Sequence, residues 1–246
     1  MAADVKVWVF AVVHDEAPML GYFLRHYLPL AERVILFDDH STDGTSELAA
    51  AYARVSVRPY PGAGLDDQEF SDFAARTYPE ARGRAQWVLW VDADELIYHP
   101  DLRGVLARLL AAGVTLPRVE GYSMFANAFP ETDGQLYNAV TVGARAPFFD
   151  KPVVFDPKLD LRWIPGKHAL AEPVDAERGG AAELKLLHFR HLGERYFSAR
   201  NARNYARMSA RNVAAGLGYQ TYPERQADCG WAAQVKAMEL DLKVVV

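Results

Sequence analysis

The hydrophobic pattern of the first part of the chain alternates between short apolar runs and segments with helical features. Four apolar runs predict buried strands, at 5–13, 32–39, 55–60 and 87–91. Three intervening segments predict helices, at 18–31, 41–53 and 69–82. Strands that alternate with helices are typical of an open, mostly parallel sheet with helices on its faces. The predicted fold class is therefore α/β.

The second part of the chain is less regular. Short β-like runs broken by Gly and Pro fill 114–125 and 136–170, and 182–192 has the pattern of a strand. Helices are predicted at 193–216 and 223–243. Because no internal repeat, low-complexity tract or linker interrupts the sequence, we expect a single domain over the whole chain, 1–246. Its parts are a regular α/β part, a mixed α/β part and C-terminal helices, at 1–97, 98–192 and 193–246.

Composition and charge narrow the functional classes. Of the 246 residues, 50% are hydrophobic and 24% are charged, which is typical of a soluble globular protein. The formal net charge of −5 argues against a protein that binds nucleic acid through bulk positive charge. A single cysteine, Cys229, excludes an intramolecular disulfide and favours a reducing, cytoplasmic compartment. The apolar run at 5–13 is too short for a membrane span, which takes about 20 residues, and it lacks the basic region of a signal peptide.

Polar and acidic residues follow three of the predicted strands. The clusters are His14-Asp15-Glu16, Asp38-Asp39 and Asp92-Ala93-Asp94-Glu95. In open parallel sheets the carboxyl ends of the strands meet at one edge, and ligands bind beyond that edge. We therefore expect the three clusters to share one binding site.

The stretch WVLWVDADEL places three carboxylates directly after a buried strand. Such crowding raises the pKa of each carboxyl group unless a cation is held among them. Carboxylate oxygens suit hard cations, so Asp92 and Asp94 are candidate ligands for Mn²⁺ or Mg²⁺, which also bind waters and substrate phosphates. The alternative is that these acids cap the next helix or are solvated.

The stretch FDDHSTDGT combines a turn with a candidate binding site. Its DG pair is a turn signal, and Ser41, Thr42 or Asp43 can cap the helix that follows. Asp38 or Asp39, at the end of the predicted strand, can accept hydrogen bonds from a nucleobase or from a ribose hydroxyl.

These motifs resemble those of the GT-A glycosyltransferases, most closely a bacterial family 2-like group related to family 92. The resemblance rests on VVHDEAPMLGYFLRHYLPLAERVILFDDHSTDGT and on LWVDADEL, and it is specific over 5–97. The group usually has Asn-Glu after the first strand, where this chain has His14-Asp15-Glu16. The resemblance implies a GT-A fold, with a nucleotide-sugar-binding part at 1–97 and an acceptor side at 98–192.

The resemblance also implies that the donor is a nucleotide-diphosphate-sugar, with UDP as the nucleotide, and that the sugar is transferred with inversion. The implied nucleotide-sugar-binding residues are Val13, His14, Glu16, Asp38, Asp39, Asp92, Ala93, His188 and Arg190. A divalent metal held by Asp92 and Asp94, with Asp94 as the more direct ligand, would bridge the two phosphates and stabilise the departing nucleoside diphosphate.

A later histidine often completes the metal site in GT-A enzymes. The spacing of the GKH sequence after Lys151 favours His168 as this ligand. His188 and Arg190 can alternatively lie on one face of a strand, near the diphosphate. For any one of these histidines the simpler interpretation is a hydrogen-bonded surface or core residue.

An inverting transferase also needs a base that deprotonates the acceptor hydroxyl. Glu131 and Asp133, in the sequence NAFPETDGQ, are the catalytic candidates because they follow a predicted strand in a Gly- and Pro-containing loop. The alternative is that both are turn residues.

Arg200, Arg203, Arg207 and Arg211 recur at spacings of 3, 4 and 4, which places them in a stripe along one face of the helix predicted at 193–216. A solvated basic face is the simplest interpretation. The alternative is a docking surface for an anionic acceptor or for membrane lipid, which would hold the protein at the inner face of the membrane.

The resemblance therefore implies a metal-dependent glycosyltransferase that acts on a glycan or lipid-linked acceptor hydroxyl in polysaccharide biosynthesis. One alternative is a haloacid-dehalogenase-like phosphohydrolase, which also has D-x-D after an apolar strand. That class normally has Thr or Val at the fifth position, where this chain has Leu96, and has the motif early in its domain. The other alternative is a non-catalytic nucleotide-sugar-binding protein.

Overall fold

The computed structural model of the protein describes residues 5–62, 64–239 and 241–246, which form two sheets and the helices around them. The strands are β1 (Val7–Val13), β2 (Arg33–Asp38), β3 (Val55–Pro59), β4 (Trp87–Trp90), β5 (Glu95–Tyr98), β6 (Val119–Ala126), β7 (Val142–Arg145), β8 (Val154–Phe155), β9 (Leu184–Leu192) and β10 (Lys243–Val244). The helices are α1 (Ala17–Tyr27), α2 (Thr45–Ala50), α3 (Asp67–Thr77), α4 (Leu102–Ala111), α5 (Leu136–Ala139), α6 (Glu194–Ala206), α7 (Ala210–Ala214), α8 (Gln226–Cys229) and α9 (Trp231–Met238). Short 3₁₀ helices lie at Tyr78–Ala81, Pro147–Phe149, Pro165–Lys167, Tyr219–Thr221 and Pro223–Arg225.

The first sheet has the strand order β3-β2-β1-β4-β8. Strands β1 to β4 run parallel, and β8 pairs antiparallel with β4. The strands β1, β2 and β4 are mostly apolar on both faces because helices cover both. Phe10 and Trp90, whose rings stack at 5.1 Å, belong to the core beneath α3, while Val9 and Phe23 belong to the core beneath α1. The predicted α/β class, with a mostly parallel sheet flanked by helices, is confirmed.

The second sheet has the order β10-β7-β6-β9-β5. Strands β6 and β9 are parallel, and the other pairs are antiparallel. Leu186 and Leu187 of β9 belong to the same apolar core as Val9 of the first sheet, so the two sheets pack together. This sheet is the mixed part that the irregular pattern predicted.

The chain passes from the first sheet to the second through residues 91–94. Strand β4 ends at Trp90, and β5 begins at Glu95, opposite His188 of β9. The hydrophobic pattern did not predict β5, because this strand is only 4 residues long and begins with an acid. The consequence is that the D-x-D segment lies at the junction of the two sheets.

The C-terminal helices are shorter than predicted. The helix expected at 193–216 is interrupted after α6 because the backbone of Leu65 pairs with the chain there: its N–H donates to the Arg207 carbonyl at 2.8 Å, and its carbonyl accepts from the Ser209 N–H at 2.9 Å. The helix expected at 223–243 is interrupted at Gly230, where a Cβ would lie 2.4 Å from the Gln226 carbonyl oxygen.

Candidate functional site

A cavity of about 620 Å³ opens at the carboxyl ends of β1 and β4. Helix α6 and the segments 164–168 and 216–221 complete its walls. Most of the predicted site residues line this cavity: Val13, His14, Glu16, Asp92, Ala93, Asp94, His168, His188 and Arg190. The predicted residues that are absent from its described lining are Asp38, Asp39, Glu131 and Asp133.

Asp94 is a buried acid of this cavity. Its side chain is 1% exposed, and Oδ2 accepts hydrogen bonds from Arg200 and, at 3.0 Å, from His188 Nε2. Burial raises the pKa of Asp94, but Arg200 and His188 outweigh burial and hold the pKa well below its usual value. Oδ1 has no hydrogen-bond partner among the described residues. Asp94 is therefore ionised and keeps one buried oxygen for a ligand.

Asp92 faces two lysines. Lys167 Nζ lies 3.0 Å from its Oδ1, and Lys151 Nζ lies 3.5 Å from its Oδ2. Desolvation raises the pKa of Asp92, but the two lysines outweigh it and hold the pKa below its ordinary value. Both oxygens are thus already in ion pairs, in contrast to those of Asp94.

Glu95 takes a structural position beside these aspartates. Its side chain is 0% exposed and accepts hydrogen bonds from Lys151 Nζ and, at 3.1 Å, from the Asp92 backbone N–H. Burial lowers the pKa of Lys151, but Glu95 and Asp92 outweigh burial and raise it above its ordinary value. Crowded carboxylates require a nearby cation. For Glu95 this cation is the buried ammonium group of Lys151.

Glu16, in the loop between β1 and α1, is held by helix α6. Its Oε1 accepts hydrogen bonds from Arg200 at 3.2 Å and from Arg203 at 3.3 Å, and its backbone N–H donates to Thr45 Oγ1 at 2.8 Å. Burial raises the pKa of Glu16 in opposition to the two arginines, and the nearby Asp94 carboxylate raises it further. Glu16 and Asp94 thus share Arg200 as a counter-ion.

The arginine stripe points into the molecule. Arg200, Arg203 and Arg207 are 15%, 26% and 15% exposed, and each forms an ion pair with an acid at the strand ends. The expectation of a solvated or membrane-docking face is therefore wrong for these three arginines, because buried carboxylates attract them. Arg211 is 59% exposed. In the described parts of the chain, no helix is long and apolar enough to cross a membrane.

The loops after β1 and β2 hold each other in place. His14 Nδ1 donates to the Asp39 carbonyl oxygen at 2.6 Å. Asp43 accepts hydrogen bonds from the backbone N–H groups of Ala17 and Thr45, each at 3.0 Å. Burial, together with the charge of Arg207, lowers the pKa of His14. Much of the FDDHSTDGT stretch therefore supports the residues of the cavity wall without lining the cavity itself.

Asp38 and Asp39 have different environments. The Asp38 carboxylate accepts from the Ser41 backbone N–H at 3.3 Å, as a turn residue does. Asp39 is 2% exposed and forms an ion pair with Arg207. His14 and Arg207 contact Asp39 and line the wall, so Asp39 supports the cavity from behind.

The GKH segment forms a strained turn over the cavity. Gly166 and Lys167 have φ angles of 81° and 60°. A positive φ is uncommon for a residue with a side chain, and this turn accompanies the contact of the Lys167 ammonium with Asp92. His168 Nδ1 donates to the Phe148 carbonyl at 3.1 Å, and its ring stacks on that of Phe148. Above all through burial, the pKa of His168 is lowered to about 4, so this ring is neutral.

A metal ion has fewer protein ligands here than the sequence suggested. Among the residues that the structure describes, no three His, Cys, Asp or Glu side chains are grouped to hold a metal. Asp94 Oδ1 and His188 Nδ1 are buried atoms without a described partner, and these two residues contact each other. A divalent cation that takes its other ligands from waters and substrate phosphates needs only one or two protein groups. Asp94 Oδ1 fits such a shared site, while His188 lies beside Asp94 and holds its other oxygen.

Glu131 and Asp133 are exposed in the segment between β6 and α5. The segment is tied to α1 by the Tyr22 hydroxyl, which donates to the Pro130 carbonyl at 2.7 Å. A catalytic base must reach the reacting hydroxyl within hydrogen-bond distance. A role as base for either acid would therefore require this segment to move toward the cavity.

The basic residues of the cavity are the part of the site that the sequence interpretation missed. They are Lys151, Lys167, Arg200 and Arg207. The regular spacing of the arginines was a visible signal, but spacing does not indicate which way a helix face points. For Lys167 the preceding glycine was the one local signal of an unusual backbone.

Comparison with known proteins adds a family assignment. The family model for glycosyl transferase family 2 matches residues 8–156, more than half of the 246-residue chain. A comparison with curated protein sequences gives no match.

Several solved structures are similar to the chain. A structure of S. aureus TarS 1–349 has 14% identity and a TM-score of 0.47, covering 92% of this chain and 83% of that chain. Glucosyl-3-phosphoglycerate synthase from Mycobacterium tuberculosis, in complex with Mn²⁺, uridine diphosphate and glucosyl-3-phosphoglycerate, has 22% identity and a TM-score of 0.35, covering 48% of this chain and 44% of that chain. Mannosyl-3-phosphoglycerate synthase from Rubrobacter xylanophilus has 22% identity and a TM-score of 0.37, covering 62% of this chain and 53% of that chain.

The segment matched by the family model runs from β1 to the end of β8. It contains the parallel strands, the D-x-D segment and the loops that build one side of the cavity. The chain therefore belongs to glycosyl transferase family 2.

Proposed function

We propose that the protein is a metal-dependent glycosyltransferase that moves a sugar from a UDP-sugar to an acceptor hydroxyl, with inversion at the sugar carbon. The observation that carries this proposal is Asp94: an ionised, buried carboxylate with one unpartnered oxygen, at the junction of the two sheets in a family 2 chain. Family 2 membership argues against the phosphohydrolase alternative. A non-catalytic nucleotide-sugar-binding protein stays as the second candidate, which the experiment below separates.

In this proposal the nucleotide lies against the loops after β1 and β2. Val13, His14 and Glu16 line that end of the cavity, and Asp39 supports it from behind. Carboxylates there accept hydrogen bonds from the ribose hydroxyls and the base. His14 stays neutral, because burial and Arg207 lower its pKa, and so can hydrogen-bond without adding charge.

The diphosphate lies at the D-x-D segment, where the chain concentrates positive charge. Lys151, Lys167 and Arg200 all line this part of the cavity. A divalent Mn²⁺ or Mg²⁺ held by Asp94 would supply further positive charge for the departing nucleoside diphosphate. The lysines paired with Asp92 are placed to do the same with the chain's own charges.

Three further predictions belong to this proposal. The acceptor is a glycan or a lipid-linked hydroxyl compound on the second-sheet side, the protein is cytoplasmic, and residues 1–246 form a single domain. The last is supported by the apolar core that both sheets share.

The test is thermal unfolding with UDP, GDP or CMP, each with and without Mn²⁺. A ligand of the native state raises the midpoint, and about 2.7 kcal/mol at 100 times Kd corresponds to roughly 5–10 °C for a chain of this size. We expect this shift with UDP plus Mn²⁺ only. Asp94→Asn removes the charge of the proposed metal ligand. The midpoint shift that UDP produces in this variant should therefore not depend on Mn²⁺.

Asp160→Asn is the matched control, because Asp160 is 92% exposed and outside the cavity, and it should keep the wild-type shift. The absence of a shift with every nucleotide would contradict the proposal. Nucleotide binding without donor hydrolysis or transfer would favour the non-catalytic alternative.

A further inference from the structure

The cavity of about 620 Å³, proposed to bind the sugar donor, is the donor cavity. A second cavity, of about 280 Å³, adjoins it. The two share four lining residues, Phe149, Arg190, Gln220 and Gln234. The second cavity lies between β6 and β7 of the second sheet and helix α9, through residues such as Ser123, Ala144 and Ala237. Its position across a shared wall is what a second substrate would need, because two reacting groups must meet at van der Waals distance.

Arg190 is the shared residue with the most unusual electrostatics. Its guanidinium donates to Asn201 Oδ1 at 2.8 Å and lies over the Phe197 ring. Among the described residues it has no carboxylate within ion-pair distance, whereas Arg200, on the donor side, has two. An uncompensated cation in this position gains free energy when an anion binds beside it.

Besides Arg190, the second cavity is lined by two charged residues, Arg145 and Asp241, and by neutral groups that can hydrogen-bond. His191 is 5% exposed, its Nδ1 lies 3.3 Å from the Ser123 hydroxyl, and its ring also interacts with the Gln234 side chain. Burial lowers the pKa of His191 to about 3, so the ring is neutral and can hydrogen-bond to a hydroxyl group. The amides of Gln220 and Gln234 and the hydroxyl of Ser123 add donors and acceptors. Arg145 also lines this cavity, but its charge is already paired with Asp150 at 2.6 Å.

We propose that the second cavity binds the acceptor, and that the acceptor is a hydroxyl compound with a phosphate or carboxylate group that pairs with Arg190. This rests on the proposed glycosyl transfer and names the class of its acceptor. The neutral polar groups recognise hydroxyls, and Arg190 fixes the anionic end at the wall shared with the donor cavity. Arg145 contributes little to the binding of an anion, because Asp150 already neutralises its charge.

The donor diphosphate is the other source of negative charge near Arg190, and the experiment separates the two. The probe is glycerol phosphate, titrated by ligand-observed NMR into protein saturated with UDP and Mg²⁺, with glycerol as the uncharged comparison. We expect glycerol phosphate to bind, inorganic phosphate to compete with it, and glycerol to bind at least roughly tenfold more weakly, the factor that corresponds to about 1.4 kcal/mol.

Arg190→Gln removes the cation and should lower the affinity for glycerol phosphate by at least roughly tenfold. Hydrogen bonds to charged groups contribute more free energy than those between neutral groups. The affinity for UDP should change by no more than about twofold, because Lys151, Lys167 and Arg200 remain in place for the diphosphate. Arg145→Gln is the matched control: it removes an arginine of the same cavity whose charge is already paired, and should leave glycerol phosphate binding within about twofold.

A steric variant tests the location without changing Arg190. Ala237, on an exposed position of α9, lines the second cavity and not the donor cavity. Ala237→Phe should fill the cavity, abolish glycerol phosphate binding and leave UDP binding intact. This variant also keeps the proposal testable if Arg190→Gln fails to fold.

Two outcomes overturn the acceptor proposal while the glycosyltransferase proposal stands. The first is UDP-saturated wild-type protein that binds no anionic probe. The second is an Arg190→Gln variant that loses UDP affinity but binds glycerol phosphate as before, which would assign Arg190 to the donor diphosphate. If the wild type binds no UDP with or without metal, the proposed function itself fails, and the acceptor proposal with it.

Discussion

Lys151 and Glu95 show how a single pair of residues supports the site. Both side chains are buried, at 3% and 0% exposed, and they contact each other directly beneath the D-x-D segment. We expect Lys151→Met to lower the free energy of unfolding by about 3–5 kcal/mol, because it leaves a buried carboxylate without its cation. Urea denaturation followed by circular dichroism measures this loss.

Lys158→Met is the control for this prediction, since Lys158 is exposed and should change stability by no more than about 0.5 kcal/mol. The double variant Lys151→Met/Glu95→Gln should recover much of the loss, because it removes the unpaired charge as well. A cost below about 1 kcal/mol for Lys151→Met alone would mean that the pair adds little to the fold.

At the scale of elements, helix α6 carries arginines that are the counter-ions of the acids at the strand ends. Arg200 contacts both Glu16 and Asp94 and therefore occupies the carboxylate proposed to hold a metal. We expect Arg200→Gln to bind Mn²⁺ at least roughly tenfold more tightly in the absence of nucleotide, since a competing cation is removed. The electron paramagnetic resonance signal of free Mn²⁺ gives the affinity directly.

Arg211→Gln provides the comparison for Arg200→Gln, because Arg211 belongs to the same sequence stripe but pairs with Asp66 at 3.5 Å and is mostly exposed. Its Mn²⁺ affinity should equal that of the wild type. If Arg200→Gln also leaves the affinity unchanged, then Arg200 and the metal do not compete for Asp94.

At the scale of the whole molecule, helix α1 ties the first sheet to the second through His26. The buried ring donates from Nε2 to the Ile97 carbonyl of β5 at 2.9 Å, and burial lowers the pKa of His26 to about 4. In the unfolded chain the pKa of a histidine is about 6.5, so below this pH the unfolded state binds a proton that the native state does not. Stability should therefore be full above pH 6.5 and fall as the pH drops toward 4, by about 3 kcal/mol for this one residue.

His26→Gln keeps an amide donor for the Ile97 carbonyl but does not titrate. Urea denaturation between pH 7 and 4 gives the free energy of unfolding as a function of pH. For this variant the slope should be smaller than for the wild type, by the amount that corresponds to about one bound proton. His40→Asn is the comparison, because the His40 side chain is 76% exposed and asparagine tolerates its φ of 58°. Equal slopes for wild type and His26→Gln would contradict a buried neutral histidine.

Local patterns in the sequence predicted a large part of this architecture. The apolar runs identified β1 to β4, because a strand buried on both faces needs a nearly continuous apolar sequence. The polar clusters at the ends of β1 and β4 indicated the edge where the cavity lies, because parallel strands bring their carboxyl ends together. Strand β5 and the ends of the C-terminal helices were not predicted, because the pairing partner in each case comes from a distant segment.

By itself, then, the sequence determined the parallel sheet, its functional edge and the acids on that edge, all of which follow from hydrophobic and polar periodicity over a few residues. Only the tertiary structure decided how those acids are neutralised. Arg200 comes from 106 residues beyond Asp94, and Lys151 from 56 residues beyond Glu95. Periodicity gives the face on which a side chain lies but not what packs against it. The folded chain therefore turned a predicted surface stripe into the inner wall of the site.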